Sequence, residues 1–237
     1  MIIIPARLAS TRFPRKILCD IDGLPMFVRS ALNARQVDDV VVAVDSQEAY
    51  DIAQRFGIKA VITSQEIANG TLRVLAASRL LGLKDDEIII NLQADEPFLE
   101  THVIETLQKS MQQAQFMGTC AKYIDSVTAN NSNIVKVILN HKSEAIYFSR
   151  SSIPFCRDSQ DSAPKQFLGH IGIYGYFKSS LECYASLCEC ALEDTEKLEQ
   201  LRAIYYRKPI LVSIVESQSI GVDTPEDLYA LKQRFAL

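Results

Sequence analysis

Uninterrupted apolar runs and helical periodicities alternate along the first half of the chain. Ile2 to Ile4 form a short buried-strand run ending at Pro5, and "GLPMFVRSALNAR" follows with apolar residues at helical spacing. "DDVVVAVD" reads as a second buried strand, "SQEAYDIAQRFG" as a helix with Ser46 as N-cap and Gly57 as C-terminal stop, and "KAVITS" as a third strand. "GTLRVLAASRLLGL" predicts a helix closed near Gly82, "DEIIINLQADEP" a strand running into an acidic turn, and "ETHVIETLQKSMQQAQ" a further helix. The strands are continuous rather than alternating in polarity and the connections are short. That pattern predicts a mostly parallel sheet covered by helices on both faces, an α/β fold.

After about residue 116 the rhythm changes. "MGTCAKY", "NIVKVILN", "EAIYFSR" and "HIGIYGYF" are strands without long helices between them, joined by polar stretches such as "CRDSQDSAPKQ". They predict an inserted antiparallel β arm over about residues 117–177, reaching toward a partner subunit. The chain returns through "EDTEKLEQLRAIYY" as a helix, "PILVSIVE" as a strand and a final helix after "GVDTPEDL". No repeat or Gly/Ser linker divides it, so residues 1–237 read as one nucleotide-binding domain carrying a β insertion.

Composition narrows the function. A 237-residue chain with 48% hydrophobic residues builds an ordinary core, and a net charge of -4 argues against nucleic acid as a partner. No apolar run approaches the ~20 residues that span a bilayer and no signal segment precedes the first strand, so a cytoplasmic protein without membrane insertion is expected. Six scattered cysteines and three histidines read as reduced structural residues, without the spacing of a zinc site.

Against the acidic background, Arg7, Arg12, Arg15 and Lys16 crowd the loop after the first strand, with Ser10 and Thr11 among them. Like charges so close are costly unless an anion sits among them, and a strand-to-helix loop supplies backbone N–H groups as well, so the loop reads as a phosphate cradle. It is neither a Walker A loop nor G-x-G-x-x-G. Asp95, at the end of a buried strand, suits Mg²⁺, which takes one or two carboxylates and completes its shell with water and phosphate oxygens. Asp223 before Thr224 and Pro225 admits two readings, a second metal ligand or ordinary helix-start chemistry. On residue type alone, Tyr174 reads as a packed strand residue and Glu199, Gln200 and Arg202 as a solvated helix face, whereas His170 beside Gly169 and Gly172 admits both a packed-strand and a site reading. A phosphate cradle with a carboxylate-held Mg²⁺ points to phosphoryl or nucleotidyl transfer.

Five ordered stretches sharpen this. "IIPARLASTRFPRKIL", "NLQADEP", "GHIGIYGY", "LEQLR" and "GVDTPEDL" resemble, from residue 2 to about 230, the motifs of the 3-deoxy-D-manno-octulosonate (Kdo) cytidylyltransferases. The resemblance implies transfer from CTP to Kdo, giving CMP-Kdo and diphosphate for lipopolysaccharide synthesis, with Mg²⁺ as cofactor and a homodimer. By matching position, Arg7, Arg12 and Lys16 would bind the triphosphate with Ser10 and Thr11, while Thr71 and Arg73 would line the nucleotide. Asp95 and Asp223 would hold Mg²⁺ between the α-phosphate and the sugar. Gln93, His170, Tyr174, Glu199 and Gln200 would surround the sugar, and Arg157 would meet its carboxylate. Lys16, Arg12, Asp95 and Asp223 are the catalytic set so implied.

The chain departs from the family pattern at Asn69 for Ser, Leu72 for an acidic residue, Ala94 for Gly and Arg15 for a common Gly. If residue 94 needs a positive φ, its side chain costs on the order of 1 kcal/mol. Two other readings stay open: a cytidylyltransferase for a sialic-acid-like or 8-amino Kdo acceptor, and a non-catalytic CTP-binding module.

Overall fold

The computed structural model describes residues 1–9, 13–157, 166–222 and 224–235. In chain order it runs β1 (Ile2–Ala6), β2 (Asp20–Ile21), β3 (Leu24–Pro25), α1 (Met26–Ala34), β4 (Val40–Val44), α2 (Gln47–Arg55), β5 (Lys59–Ile62), α3 (Gly70–Leu80), β6 (Ile88–Leu92) and α4 (Thr101–Ser110). The second half contains β7 (Met117–Ile124), α5 (Ser126–Ala129), β8 (Lys136–Leu139), β9 (Ala145–Ser149), β10 (Phe167–Phe177), α6 (Lys178–Ser186), α7 (Ala191–Glu196), α8 (Gln200–Tyr205), β11 (Ile210–Ile214) and α9 (Pro225–Phe235).

The main sheet has the order β11-β7-β10-β6-β1-β4-β5. Strands β6, β1, β4 and β5 are parallel neighbours and β11 is parallel to β7, while β10 lies antiparallel between β6 and β7. Of the strands within residues 117–177, β7 and β10 therefore belong to the main sheet, and the β8–β9 hairpin extends from β10.

Alternate side chains of each parallel strand enter different cores. Ile2 and Ile4, Val42 and Val44, and Ile90 and Leu92 face one, packed by Phe27 and Ala31 of α1, Ile52 of α2, and Val103 and Leu107 of α4. Ile3, Ala43 and Ile89 face the other, packed by Val74 and Leu75 of α3, Leu181 of α6 and Leu201 of α8. This is why the strands carry no polar alternation: each face buries apolar area worth about 25 cal/mol per Å².

The caps hold where the sequence placed them. Ser46 Oγ accepts from the Ala49 N–H at 3.2 Å, and Gly57 and Gly82 take positive φ after α2 and α3. Two expectations are corrected. "EDTEKLEQLRAIYY" is two short helices rather than one, because Lys197 adopts left-handed backbone and closes α7, letting Leu198 turn into the core. Residue 94 does not need a positive φ, so Ala94 carries no such strain, whereas Arg15 does take φ 56°, a conformation that a glycine would adopt without a Cβ penalty. Helix α6 escaped prediction because "KSSLECYAS" shows little amphipathic contrast.

Gly118 and Gly175 sit directly opposite each other on β7 and β10 and form a seat for Met111. A Cβ on Gly175 would lie 2.6 Å from the Met111 Sδ, and one on Gly118 2.9 Å. Gly175→Ala is expected to lower unfolding free energy by about 1–3 kcal/mol. Combined with Met111→Ala it should cost less than the two single changes together, as read by denaturant unfolding.

Candidate active site

The carboxyl ends of β1, β4, β5 and β6 share one edge, and their loops converge there. After β1, the Leu8 N–H donates to buried Asp45 Oδ1 at 3.1 Å, anchoring the start of the basic loop on the end of β4. Arg7 Nη1 donates to the Ala68 carbonyl at 3.3 Å, and Arg15 pairs with Glu48 on α2. Lys16 opens a short 3-10 turn, and its Nζ reaches Asp95 Oδ2 at 2.6 Å across the β1–β6 boundary. Ser10, Thr11 and Arg12 lie outside the described residues, as does Asp223.

Asp95 is set by its turn. The Ala94 carbonyl accepts from the Ser30 hydroxyl at 2.8 Å, and the Asp95 carbonyl from the Val222 N–H at 3.0 Å. The second bond brings the residue preceding Asp223 onto the Asp95 turn. Helix α9 does not need Asp223 as its cap, because Thr224 and Asp227 cap it reciprocally: Asp227 N–H donates to Thr224 Oγ1, and Thr224 N–H to Asp227 Oδ2. Glu96 accepts from the Ser219 hydroxyl at 2.6 Å, and burial pushes its carboxyl up to about 7. A Cβ on Gly221 would stand 3.0 Å from Glu96 Oε1, so that glycine makes room for the carboxylate.

At the start of α3, Asn69 replaces the family's Ser without loss, its Oδ1 accepting from the Leu72 N–H at 2.9 Å. Gly70 lets the helix approach β1; a Cβ there would touch Pro5 at 3.4 Å. The Thr71 hydroxyl donates to Glu199 Oε2 at 2.6 Å. Arg73, 2% exposed, donates to Thr63 Oγ1 and to the carbonyls of Ser64 and Ile67. Its guanidinium thus holds the loop that carries Ala68, the acceptor for Arg7.

Two cavities open along this edge, of about 520 and 600 Å³. Arg7, Lys16 and Arg73 line the first; His170, Tyr174, Thr71 and Gln200 line the second. Gly70, Gln93, Asp95, Lys197, Leu198 and Glu199 belong to both and form their common wall. Gln93 Nε2 donates to Asn91 Oδ1 at 3.1 Å. His170 Nε2 meets Thr119 Oγ1 at 2.9 Å, with its ring against Phe148 and Tyr174. Gln200 is 3% exposed, and its Nε2 has no hydrogen-bond partner among the described residues, leaving a buried donor on the wall of the second cavity. Burial raises the pKa of Glu199 and Tyr174. Arg157 is exposed and lines neither cavity. Sequence reasoning missed Lys122, Arg150 and Arg234, which line the second cavity. Lys122 had a signal, a lone cation in the otherwise apolar run "MGTCAKYI"; Arg150 and Arg234 had none.

A cytidylyltransferase family profile matches residues 1–211. The chain belongs to the cytidylyltransferase family. Among cytidylyltransferase relatives, the 3-deoxy-manno-octulosonate cytidylyltransferase of Helicobacter acinonychis (strain Sheeba) is 56% identical over 96% of this chain and 94% of its own. Its namesake from Wolinella succinogenes is 49% identical over 96% of each chain. A solved CMP:2-keto-3-deoxy-manno-octonic acid synthetase complexed with CTP superposes with a TM-score of 0.91 at 36% identity, covering 99% of this chain and 97% of that one. The α/β sheet of this cytidylyltransferase is thus that of a nucleotidyltransferase. No described helix is long and apolar enough to cross a membrane.

Burial pushes the His170 imidazole down to about 3. The unfolded chain takes up this proton near pH 6.5. The neutral ring therefore contributes full stability above about pH 6.5, and the contribution is lost as pH falls toward 3. His170→Asn should flatten this acid limb, read as a shallower fall in thermal midpoint between pH 6.5 and 4 than in the unaltered protein.

Proposed function

We propose that this protein transfers the cytidylyl group of CTP to 3-deoxy-manno-octulosonate, releasing diphosphate. The carrying observation is the pair of cavities joined at the Gln93, Asp95 and Glu199 wall: the first is lined by Arg7 and Lys16 of the basic loop and also by Glu189, Glu193 and Asp194, and the second by amide, imidazole, phenol and carboxylate groups with Lys122, Arg150 and Arg234. The names and high identity of the relatives support the same reading. In it, the triphosphate lies in the first cavity against Arg7 and Lys16, with Arg12, Ser10 and Thr11 of the same loop. Arg73 acts from behind, by fixing the loop to which Arg7 is tied. Thr71 acts on the sugar side, since its hydroxyl is committed to Glu199.

The sugar's hydroxyls meet Gln93, Tyr174, Glu199 and the spare donor of Gln200. His170, neutral at working pH, serves as a hydrogen-bond partner rather than as an acid. The 2-hydroxyl then attacks the α-phosphorus in line as the bond to diphosphate breaks. Lys16 offsets charge on the departing diphosphate. A hard carboxylate at a strand end beside the phosphate cavity suits Mg²⁺, and Asp95 with Asp223 would hold it. When bound, the cation supplies charge stabilisation at the α-phosphate and lowers the pKa of the attacking hydroxyl. We place the enzyme in the cytoplasm, where CTP is made, as a homodimer. The exposed Val127, Ile146 and Phe155 of the strand-rich segment support the dimer.

The test is diphosphate release from CTP, Mg²⁺ and Kdo, with sialic acid, ATP, GTP and UTP as substitutes. Release only with CTP and Kdo is expected. Release with another acidic sugar alone would transfer the reading to that acceptor, and silence from protein that binds CTP would favour a binding module. Asp95→Asn should reduce turnover by about 100-fold or more while CTP remains bound, because the carboxylate acts on charge that develops in the transition state.

A further inference from the structure

The segment that presents Glu199 and Gln200 to the second cavity is poorly suited to hold itself. Helix α8 spans six residues, fewer than two turns, and the residue three before its start, Lys197, is left-handed. Such a short helix has little stability of its own. Its alignment comes from α6 and α7. The buried Tyr184 of α6 donates its hydroxyl to the Glu199 carbonyl at 2.9 Å, the same oxygen that accepts the Arg202 N–H at 3.1 Å. Arg202, 4% exposed, grips Glu193 of α7 with two bonds, Nε to Oε2 and Nη2 to Oε1, each 2.7 Å. The guanidinium carbon of Arg202 lies 5.1 Å from the centre of the Tyr184 ring, so one aromatic side chain braces both. Burial raises the phenol pKa, which keeps the hydroxyl a donor.

We propose that Tyr184 is a positioning residue for the sugar substrate: its hydroxyl fixes the Glu199 carbonyl, and with Arg202, paired to Glu193, over its ring it aims the Glu199 carboxylate and the Gln200 amide into the second cavity. Tyr184 touches neither cavity itself. The inference rests on the sugar-transfer reading for the identity of the ligand, but not for the geometry.

Tyr184→Phe removes the hydroxyl and keeps the ring beneath Arg202. Losing one neutral hydrogen bond corresponds to roughly 3- to 10-fold in an equilibrium constant. The expected result is a rise of that size in KM for Kdo, with CTP affinity and thermal midpoint nearly unchanged and faster amide exchange over residues 197–202. Arg202→Lys, which loses the two-bond grip, should move the same parameters in the same direction. An unchanged KM and unchanged exchange in a folded Tyr184→Phe protein would overturn the proposal. So would equal losses for CTP and sugar, the mark of a general structural role. If the unaltered protein is silent with Kdo, the functional reading fails separately. The exchange measurement then decides the positioning proposal without turnover: faster exchange supports it and unchanged exchange overturns it.

Discussion

Burying both faces of β1, β4 and β6 forces every charge in this region to the strand ends. Ile2, Ile3, Ile4, Val42, Ala43, Val44, Ile89 and Ile90 are almost or entirely inaccessible, so none of these positions tolerates an unpaired polar group. Charge first appears where the backbone leaves the sheet: Arg7 after β1, Asp45 after β4 and Asp95 after β6. Because these strands are parallel neighbours, the three exits lie side by side. The site is thus a consequence of the core: the packing that keeps charge out of these strands, with Asn91 of β6 their one buried polar side chain, concentrates it on one edge.

Within that edge the charges divide by whether the protein already satisfies them. Asp45 and Arg73 are buried and spend their hydrogen bonds on loop backbone and Thr63, which makes them scaffolding. Lys136 belongs with them. It is fully buried, and its ammonium donates to the carbonyls of Asn131, Ile134 and Arg150, tying together two segments at the rim of the second cavity. The Lys16–Asp95 pair is different, with side chains 12% and 26% exposed. At surface-like dielectric such a pair is worth between about 1 and 4 kcal/mol before desolvation, small enough for a polyphosphate and a divalent cation to compete for its two halves. Its arrangement keeps an ammonium and a carboxylate together on the lining of the first cavity.

The sequence showed what local pattern encodes and missed what distance encodes. Strand runs, the Ser46 cap, the Gly57 and Gly82 stops and the acidic turn at Asp95 could all be read within a few residues of each other, and the structure has them there. The break at Lys197 was hidden because "EDTEKLEQLRAIYY" has acceptable helix composition throughout; only the demand of the core for Leu198 and Leu201 interrupts it. Arg73 was legible as a site residue but not as one facing inward, since its acceptors are carbonyls that any sequence supplies. Arg150, just after β9, and Arg234, near the end of α9, reach the second cavity from segments far apart in sequence, and no local signal distinguishes them from surface cations. The departures at Asn69 and Ala94 leave the local backbone undisturbed, a side-chain acceptor being retained in one case and φ not being positive in the other.

The antiparallel course of β10 accounts for the second cavity. Running against β6, it pairs Phe177 with Ile88 at the start of that strand and Ile173 with Leu92 at its end. Its earlier residues therefore extend past the carboxyl edge, the place from which a parallel strand would only be leaving. His170 and Tyr174, four residues apart on a strand, are brought within 5.3 Å between ring centres, and the irregular register between Ile171 and Tyr174 loosens their pairing with β7 at this point. An all-parallel sheet would offer one loop-built cavity along its edge. Inserting one reversed strand adds a rigid wall of side chains beside it, and Asp95, in the turn after the strand that borders β10, becomes the boundary between the two.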